Sequence, residues 1–349
     1  MAAYTTIDDA GSFFNTNLYV GDEASHAITG VGFQPDIVWL KDRDYAYNQI
    51  ITDAVRGATK NIYPNGNYVE DTDAQGVKSF DTDGFTVGTT QSYNKTGDDF
   101  VSWNWKAGTT SGITTDGSTT ITPSAYSFNA TSGCAVLLYT GTGSTAKLAH
   151  GLGVAPGFWT TKGIDTAGRN WLTYSYGGDA ATPADVALYL NETNSQASSS
   201  LYWGGTMPDS VNLTLGSNAN CNATGEEFIM YCFAPVQGFS KFGNYEGNGN
   251  ADGPFIYTGF RPAYLLVKDT STTSDWFIWD DQRLGYNVKN NQLTANTDVV
   301  EATSDMIDIL STGFKPRVSI DPNGAGTWVY CAFARSPFVN SNGVPTNAR

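Results

Sequence analysis

The chain is short of charge. Only 15% of its 349 residues are Asp, Glu, Lys or Arg, against about 25% in an average soluble domain. Long helices draw their solvent face from Glu, Lys, Arg and Gln, so this shortage speaks against a helical protein. Basic residues are scarcer still, 19 against 34 acidic ones, for a formal charge of -15. Such a surface repels phosphate backbones, and nucleic acid is excluded as an expected partner. No run approaches the roughly 20 apolar residues of a membrane helix, so no membrane insertion is expected. Met1 to Asn15 has neither a basic n-region nor an apolar h-region, which predicts a chain without an export signal. Cys134, Cys221, Cys232 and Cys331 form no C-x-x-C pair, and buried free thiols are expected rather than a zinc site or a disulfide scaffold.

Chemistry-bearing motifs are equally sparse. The two histidines, His26 and His150, sit in polar runs ahead of Gly-x-x-Pro turns and read as exposed turn residues. There is no Gly-x-Ser-x-Gly elbow, no His-Glu-x-x-His and no phosphate-cradling Gly-x-x-x-x-Gly-Lys-Ser/Thr. The Glu-x-Asp-x-x-Glu run of sandwich hydrolases is missing too. Asp71-Thr72-Asp73-Ala74-Gln75-Gly76 starts like a calcium loop, yet its twelfth position is Thr82 instead of Glu, which leaves an acidic surface turn. The expectation is a non-enzyme with no catalytic residue, no metal ligand and no cofactor.

What the chain has in abundance is glycine, 38 residues, and aromatics, 13%. With Thr, Ser and Asn they compose an all-β protein, and the length suggests two or three units at about 150 residues per domain. An internal repeat is legible. Leu18-Tyr19-Val20-Gly21 leads to Gly32-Phe33-Gln34-Pro35 and then Asp36-Ile37-Val38-Trp39-Leu40-Lys41. Leu138-Tyr139-Thr140-Gly141 leads in the same way to Gly153-Val154-Ala155-Pro156 and a run ending at Lys162. Tyr245-Glu246-Gly247 leads to Gly259-Phe260-Arg261-Pro262 and a run ending at Lys268. Each copy closes alike, Phe100 to Ala107 matched by Phe228 to Ala234 and by Trp328 to Ala334, with large residues recurring at alternate positions such as Trp103 and Trp105. That period of two marks strands with one face in a core.

Proline lacks a donor and fixes φ, so Pro35, Pro156 and Pro262 are expected as strand-start turns. Lys41, Lys162 and Lys268 at the far ends of those strands are expected to be solvated or paired with a carboxylate. A second shared element follows in copies one and three: Asp53-Ala54-Val55-Arg56-Gly57 and Asp280-Asp281-Gln282-Arg283-Leu284-Gly285. Asp53 with Arg56, and Asp280 with Arg283, read as structural latches that fix a loop; copy two, Trp171 to Gly177, has lost the pair.

These landmarks predict three tandem antiparallel β-sandwich repeats of jelly-roll or lectin-like character. Their expected bounds are an N-terminal segment 1–17, repeat one 18–107, a Ser/Thr/Gly-rich linker 108–137, repeat two 138–235, a short linker 236–243, repeat three 244–337 and a C-terminal tail 338–349. Tyr245 and Trp203 lie in loop-like contexts, where an exposed aromatic ring can stack on a sugar or dock a protein. Binding therefore outranks catalysis, with the ligand unspecified.

Four stretches of copy one carry a family resemblance: Phe33 to Lys41, Asp53 to Lys60, Ser79-Phe80-Asp81-Thr82-Asp83-Gly84-Phe85, and Val101 to Gly108. With the opening Tyr4 to Asp9 they resemble a domain of virion structural and tail-fibre proteins of marine tailed bacteriophages, cyanophages among them. Copies two and three join that resemblance only through the internal repeat. It implies a non-enzymatic virion protein, a tail-fibre, appendage or head-decoration component located on the phage particle and made in the host cytoplasm. Implied partners are other virion proteins, further copies of itself as a homo-oligomer, and a host surface glycan. The competing expectation is a carbohydrate-binding module or glycan depolymerase acting on host polysaccharide.

Overall fold

A computed structural model of the protein describes residues 4–175, 183–283, 287 and 290–346. Nearly all its regular structure is antiparallel strand; the helices are single turns such as Ser200–Trp203. Four strands of each copy form a main sheet. In copy one these are β1 (Phe14–Val20), β2 (Ile37–Asp42), β3 (Ile50–Asp53) and β4 (Asp99–Trp105). In copy two they are β5 (Cys134–Thr140), β6 (Phe158–Gly163), β7 (Leu172–Ser175) and β8 (Glu227–Phe233). In copy three they are β9 (Ser240–Gly247), β10 (Phe260–Asp269), β11 (Phe277–Asp280) and β12 (Gly326–Pro337). The order is the same each time: β1-β4-β2-β3, β5-β8-β6-β7 and β9-β12-β10-β11.

The closing strands β4, β8 and β12 are central, as their alternating large residues require. The turn before the second strand is also alike in all three copies. Gly32, Gly153 and Gly259 adopt φ of 87°, 74° and 86°, a left-handed conformation that glycine takes without a steric cost. Pro35 and Pro156 lie two residues ahead of β2 and β6, but Pro262 is inside β10, between two register shifts that spare it a ladder donor.

A smaller sheet covers the outward side of each main sheet. In copy one His26–Thr29, Gly84–Val87 and Val77–Asp81 pair; in copy two Ala146–Ala149 and Asn212–Leu215; in copy three Ile256–Tyr257, Gly313–Pro316 and Ile307–Leu310. The resulting sandwich cores are local, for example Ile28, Leu40, Phe85 and Phe100 in copy one, or Leu148, Trp159, Leu213 and Met230 in copy two.

The other faces of the three main sheets meet one another. Trp105, Phe233 and Phe333 occupy the same register position, opposite Ile37, Phe158 and Tyr264 respectively. Their rings close a triangle, with centroids 6.0 Å apart for Trp105 and Phe233, 5.6 Å for Trp105 and Phe333, and 5.3 Å for Phe233 and Phe333. A cavity of about 30 Å3 with an apolar wall sits beside them, lined by residues of all three copies. The copies are tandem in sequence and fused in space.

The expected segment bounds differ from the strand bounds. The 108–137 stretch contains a strand, Ala125–Asn129, which pairs along the edge of β5, and β5 itself begins at Cys134. Its alternating Tyr126 and Phe128 carry that signal within a Ser/Thr/Gly background. β1 starts at Phe14 and β9 at Ser240, several residues ahead of their Tyr-x-Gly landmarks, because the landmark marks the end of the strand. Tyr176-Gly177, Leu284-Gly285 and the last three residues of the C-terminal tail lie outside the described residues.

If the triangle is the shared centre, Phe233→Ala enlarges the cavity and destabilises the whole chain by about 3–5 kcal/mol. Denaturant unfolding followed by fluorescence should show one shifted cooperative transition; three separable transitions, only one of them moved, would contradict a common core.

Candidate functional site

Asp53 pairs with Arg56 and Asp280 with Arg283, and both pairs reach beyond their own loops. Asp53 Oδ1 accepts the backbone N–H groups of Val55 and Arg56, while Arg56 Nε donates to Asp53 Oδ2 at 2.6 Å. The guanidinium also donates to the Ile51 carbonyl and to Glu70. In copy three Asp280 Oδ1 accepts Gln282 and Arg283 N–H, and Arg283 Nε donates to Asp280 Oδ2 at 2.7 Å. Arg283 reaches the Ile278 carbonyl and Glu301 in turn. Both pairs are almost wholly buried, so each charge depends on its partner. Burial works to lower the Arg56 pKa, and Asp53, Tyr231 and Glu70 together outweigh it, holding the guanidinium firmly charged.

Each latch receives a side chain from a different copy. The Tyr231 hydroxyl of β8 donates to Asp53 Oδ2 at 2.7 Å, and Trp103 Nε1 of β4 donates to Asp280 Oδ2 at 3.0 Å. Trp103 and Tyr231 are equivalent, opposite Trp39 and Thr160 in their sheets. Copy two thus locks onto copy one, and copy one onto copy three, where Glu301 also binds Arg43 of copy one. At the remaining junction Ser175 stands at the aspartate position and Cys331 at the Trp103 position. The buried Ser175 Oγ has no hydrogen-bond partner among the described residues. Tyr231→Phe should therefore cost about 1.5–3 kcal/mol, the value of a hydrogen bond to a charged group, and Ser175→Ala close to nothing. Equal losses in chemical denaturation would refute the two-latch arrangement.

Three sequence expectations are corrected by burial. Lys41, Lys162 and Lys268 are fully buried rather than solvated, and each ammonium donates to the carbonyl of the next residue. They satisfy carbonyls at the ends of their strands from inside the fold. Burial lowers the pKa of each to about 8. His150 is also buried, with Nε2 near the Asp209 carbonyl and Nδ1 accepting the Leu152 N–H, and burial lowers its pKa. Tyr245 and Trp203 are core residues: Tyr245 stacks on Trp328, and Trp203 packs edge-on against Trp159. The four cysteines are buried and free.

The depressed lysine pKa fixes a sign. Between about 8 and the ordinary 10.5, the unfolded chain binds a proton at Lys162 that the folded chain does not. Stability from this site is therefore present above 10.5 and lost as pH falls through about 8. Lys162→Met should raise the melting temperature at pH 7, and the gain should shrink toward pH 10. A gain independent of pH would rule out the buried charge as its cause.

One departure from likeness among the copies lies on the surface of copy three. A groove of about 380 Å3 opens between β9 and the Ile256–Tyr257 strand, lined by Lys241, Gly243, Tyr245, Phe255, Tyr257 and Tyr330 among others. In copy one the corresponding gap is bridged: Asn17 Nδ2 donates to the Thr29 carbonyl at 2.8 Å. Register equates Asn17 with Gly243 and Thr29 with Tyr257. In copy two the matching residue is Leu137, packed in the sandwich core. Gly243 has no side chain to bridge with, and a Cβ there would stand 2.9 Å from the Tyr330 hydroxyl. The carbonyl of Tyr257 is instead taken by the Lys241 ammonium at 2.6 Å, which also lies 5.2 Å above the Tyr257 ring.

Phe255 and Tyr257 are 50% and 51% exposed, and both line the groove, Tyr257 from the Ile256–Tyr257 strand and Phe255 from the residue just before it. Sequence reasoning missed this groove because it weighed aromatics by loop context. The signal was available in the copies themselves, where Phe255-Ile256-Tyr257 replaces Ala27-Ile28-Thr29. Among the described residues no three His, Cys, Asp or Glu side chains are grouped to hold a metal ion. A family model for a domain of unknown function matches residues 9–337, across all three copies. No curated protein and no solved structure matches the chain.

Proposed function

We propose, for a chain that belongs to the family described as Domain of unknown function (DUF7483), a non-enzymatic structural role on a tailed-phage particle, as an appendage or decoration component. The observation that carries this reading is the fused centre. Three copies share one aromatic triangle, and two of their junctions are locked by buried charge-assisted hydrogen bonds. Such a body keeps its shape and offers its outer faces, which is what assembly onto a particle asks of a component. The resemblance of copy one to virion structural and tail-fibre proteins points the same way, and the acidic surface suits a protein that stands beside packaged DNA without binding it.

A second reading, contact with a host surface glycan, is favoured by the copy-three groove and its two half-exposed rings. The partners proposed are other particle proteins and further copies of this chain. Immunogold labelling of purified particles should place the protein at a fixed position on each one. Its absence from purified particles would overturn the particle role, and turnover of host polysaccharide by the purified chain would overturn the non-enzymatic one.

A further inference from the structure

We infer that the groove of copy three is a saccharide-binding subsite, in which pyranose rings stack on Phe255 and Tyr257. Three copies of one architecture differ at a few aligned positions, and copy three alone combines a glycine at 243 with aromatic rings at 255 and 257. In copy one the same positions hold Asn17, Ala27 and Thr29, and the asparagine closes the gap. Folding does not require the open form, since copy one folds without it.

The rings are also costly to leave in water. A pair of aromatics at about half exposure in one groove is apolar surface that a sandwich interior would normally take up. Their chemistry selects the occupant. A pyranose offers a flat C–H face to an aromatic ring and a perimeter of hydroxyls to polar neighbours. The groove supplies both: the Phe255 and Tyr257 rings in its lining, and beside them the Lys241 ammonium and the Tyr330 hydroxyl. The Lys241 ammonium spends one donor on the Tyr257 carbonyl, which leaves donors for a ligand. No acidic residue lines the groove in a chain of net charge -15, so hydroxyl or carboxylate oxygens of a sugar meet no repelling group there. Its size, about 380 Å3, falls within the range of small-molecule sites.

The test uses the full chain on an array of defined oligosaccharides, neutral and uronate-bearing, followed by titration calorimetry of any sugar retained. The comparison variant is the double substitution Phe255→Ala and Tyr257→Thr, with Tyr257→Thr alone as the milder second variant. Both side chains are half exposed, and threonine already stands at the copy-one position, so the melting temperature should stay close to that of the parent chain. The expected result is at least one retained oligosaccharide, bound about tenfold more weakly by either variant. Retention of no oligosaccharide by the parent chain overturns the inference, as does equal binding by folded variants. The particle role stands or falls separately, on labelling: a chain found on particles that binds no sugar removes only the groove reading.

Discussion

Contact among Trp105, Phe233 and Phe333 is the constraint on which the rest of the molecule rests. Each ring is the inward-facing residue near the end of a central strand, and each central strand carries the sheet of its own copy. Moving any one ring would tilt a whole sheet. The local sandwich cores fix the shape of each copy, but the triangle fixes where the copies stand, and the Asp53 and Asp280 latches follow from that placement because their donors come from a neighbouring copy. Interiors pack as densely as organic crystals, so a junction of three large rings tolerates few arrangements.

Much of this was legible in the sequence. The Gly-x-x-Pro landmark set the turn, alternation of Trp103 with Trp105 or Tyr231 with Phe233 set the central strands, and Asp-x-x-Arg set the latches. What period-two reasoning could not supply was the destination of the second face. Strands buried on both sides read as near-continuous apolar runs, and Ile37 to Leu40 is such a run, yet an apolar run does not say which partner covers it. The lysines were misjudged for the same reason. Lys41 and Lys268 lie near strand ends, which suggests solvent, but carbonyls beyond the strand close over them: Lys41 donates to Tyr45 of its own copy and Lys268 to Thr193 of copy two.

The groove was missed on different grounds. Its members are unremarkable one at a time: a glycine in a strand, a lysine, two aromatics in a chain rich in them. Their meaning lies in an absence relative to Asn17, and that becomes visible only when the pairing register sets Gly243 against it. Register, the quantity that decides which face a residue takes, is also what makes the copies comparable position by position.

Three copies on one chain have a consequence for symmetry. Were the same unit to assemble as three identical subunits, every junction and every surface would occur three times, since a closed homo-oligomer repeats each contact. Joining the units covalently releases each copy from the others' sequence. This chain uses that freedom at Ser175, where one junction shows no Asp–Arg latch among the described residues, and at Gly243, where the gap that Asn17 bridges in copy one stands open. A near-threefold body thereby acquires a distinguishable front without losing the centre that symmetry built.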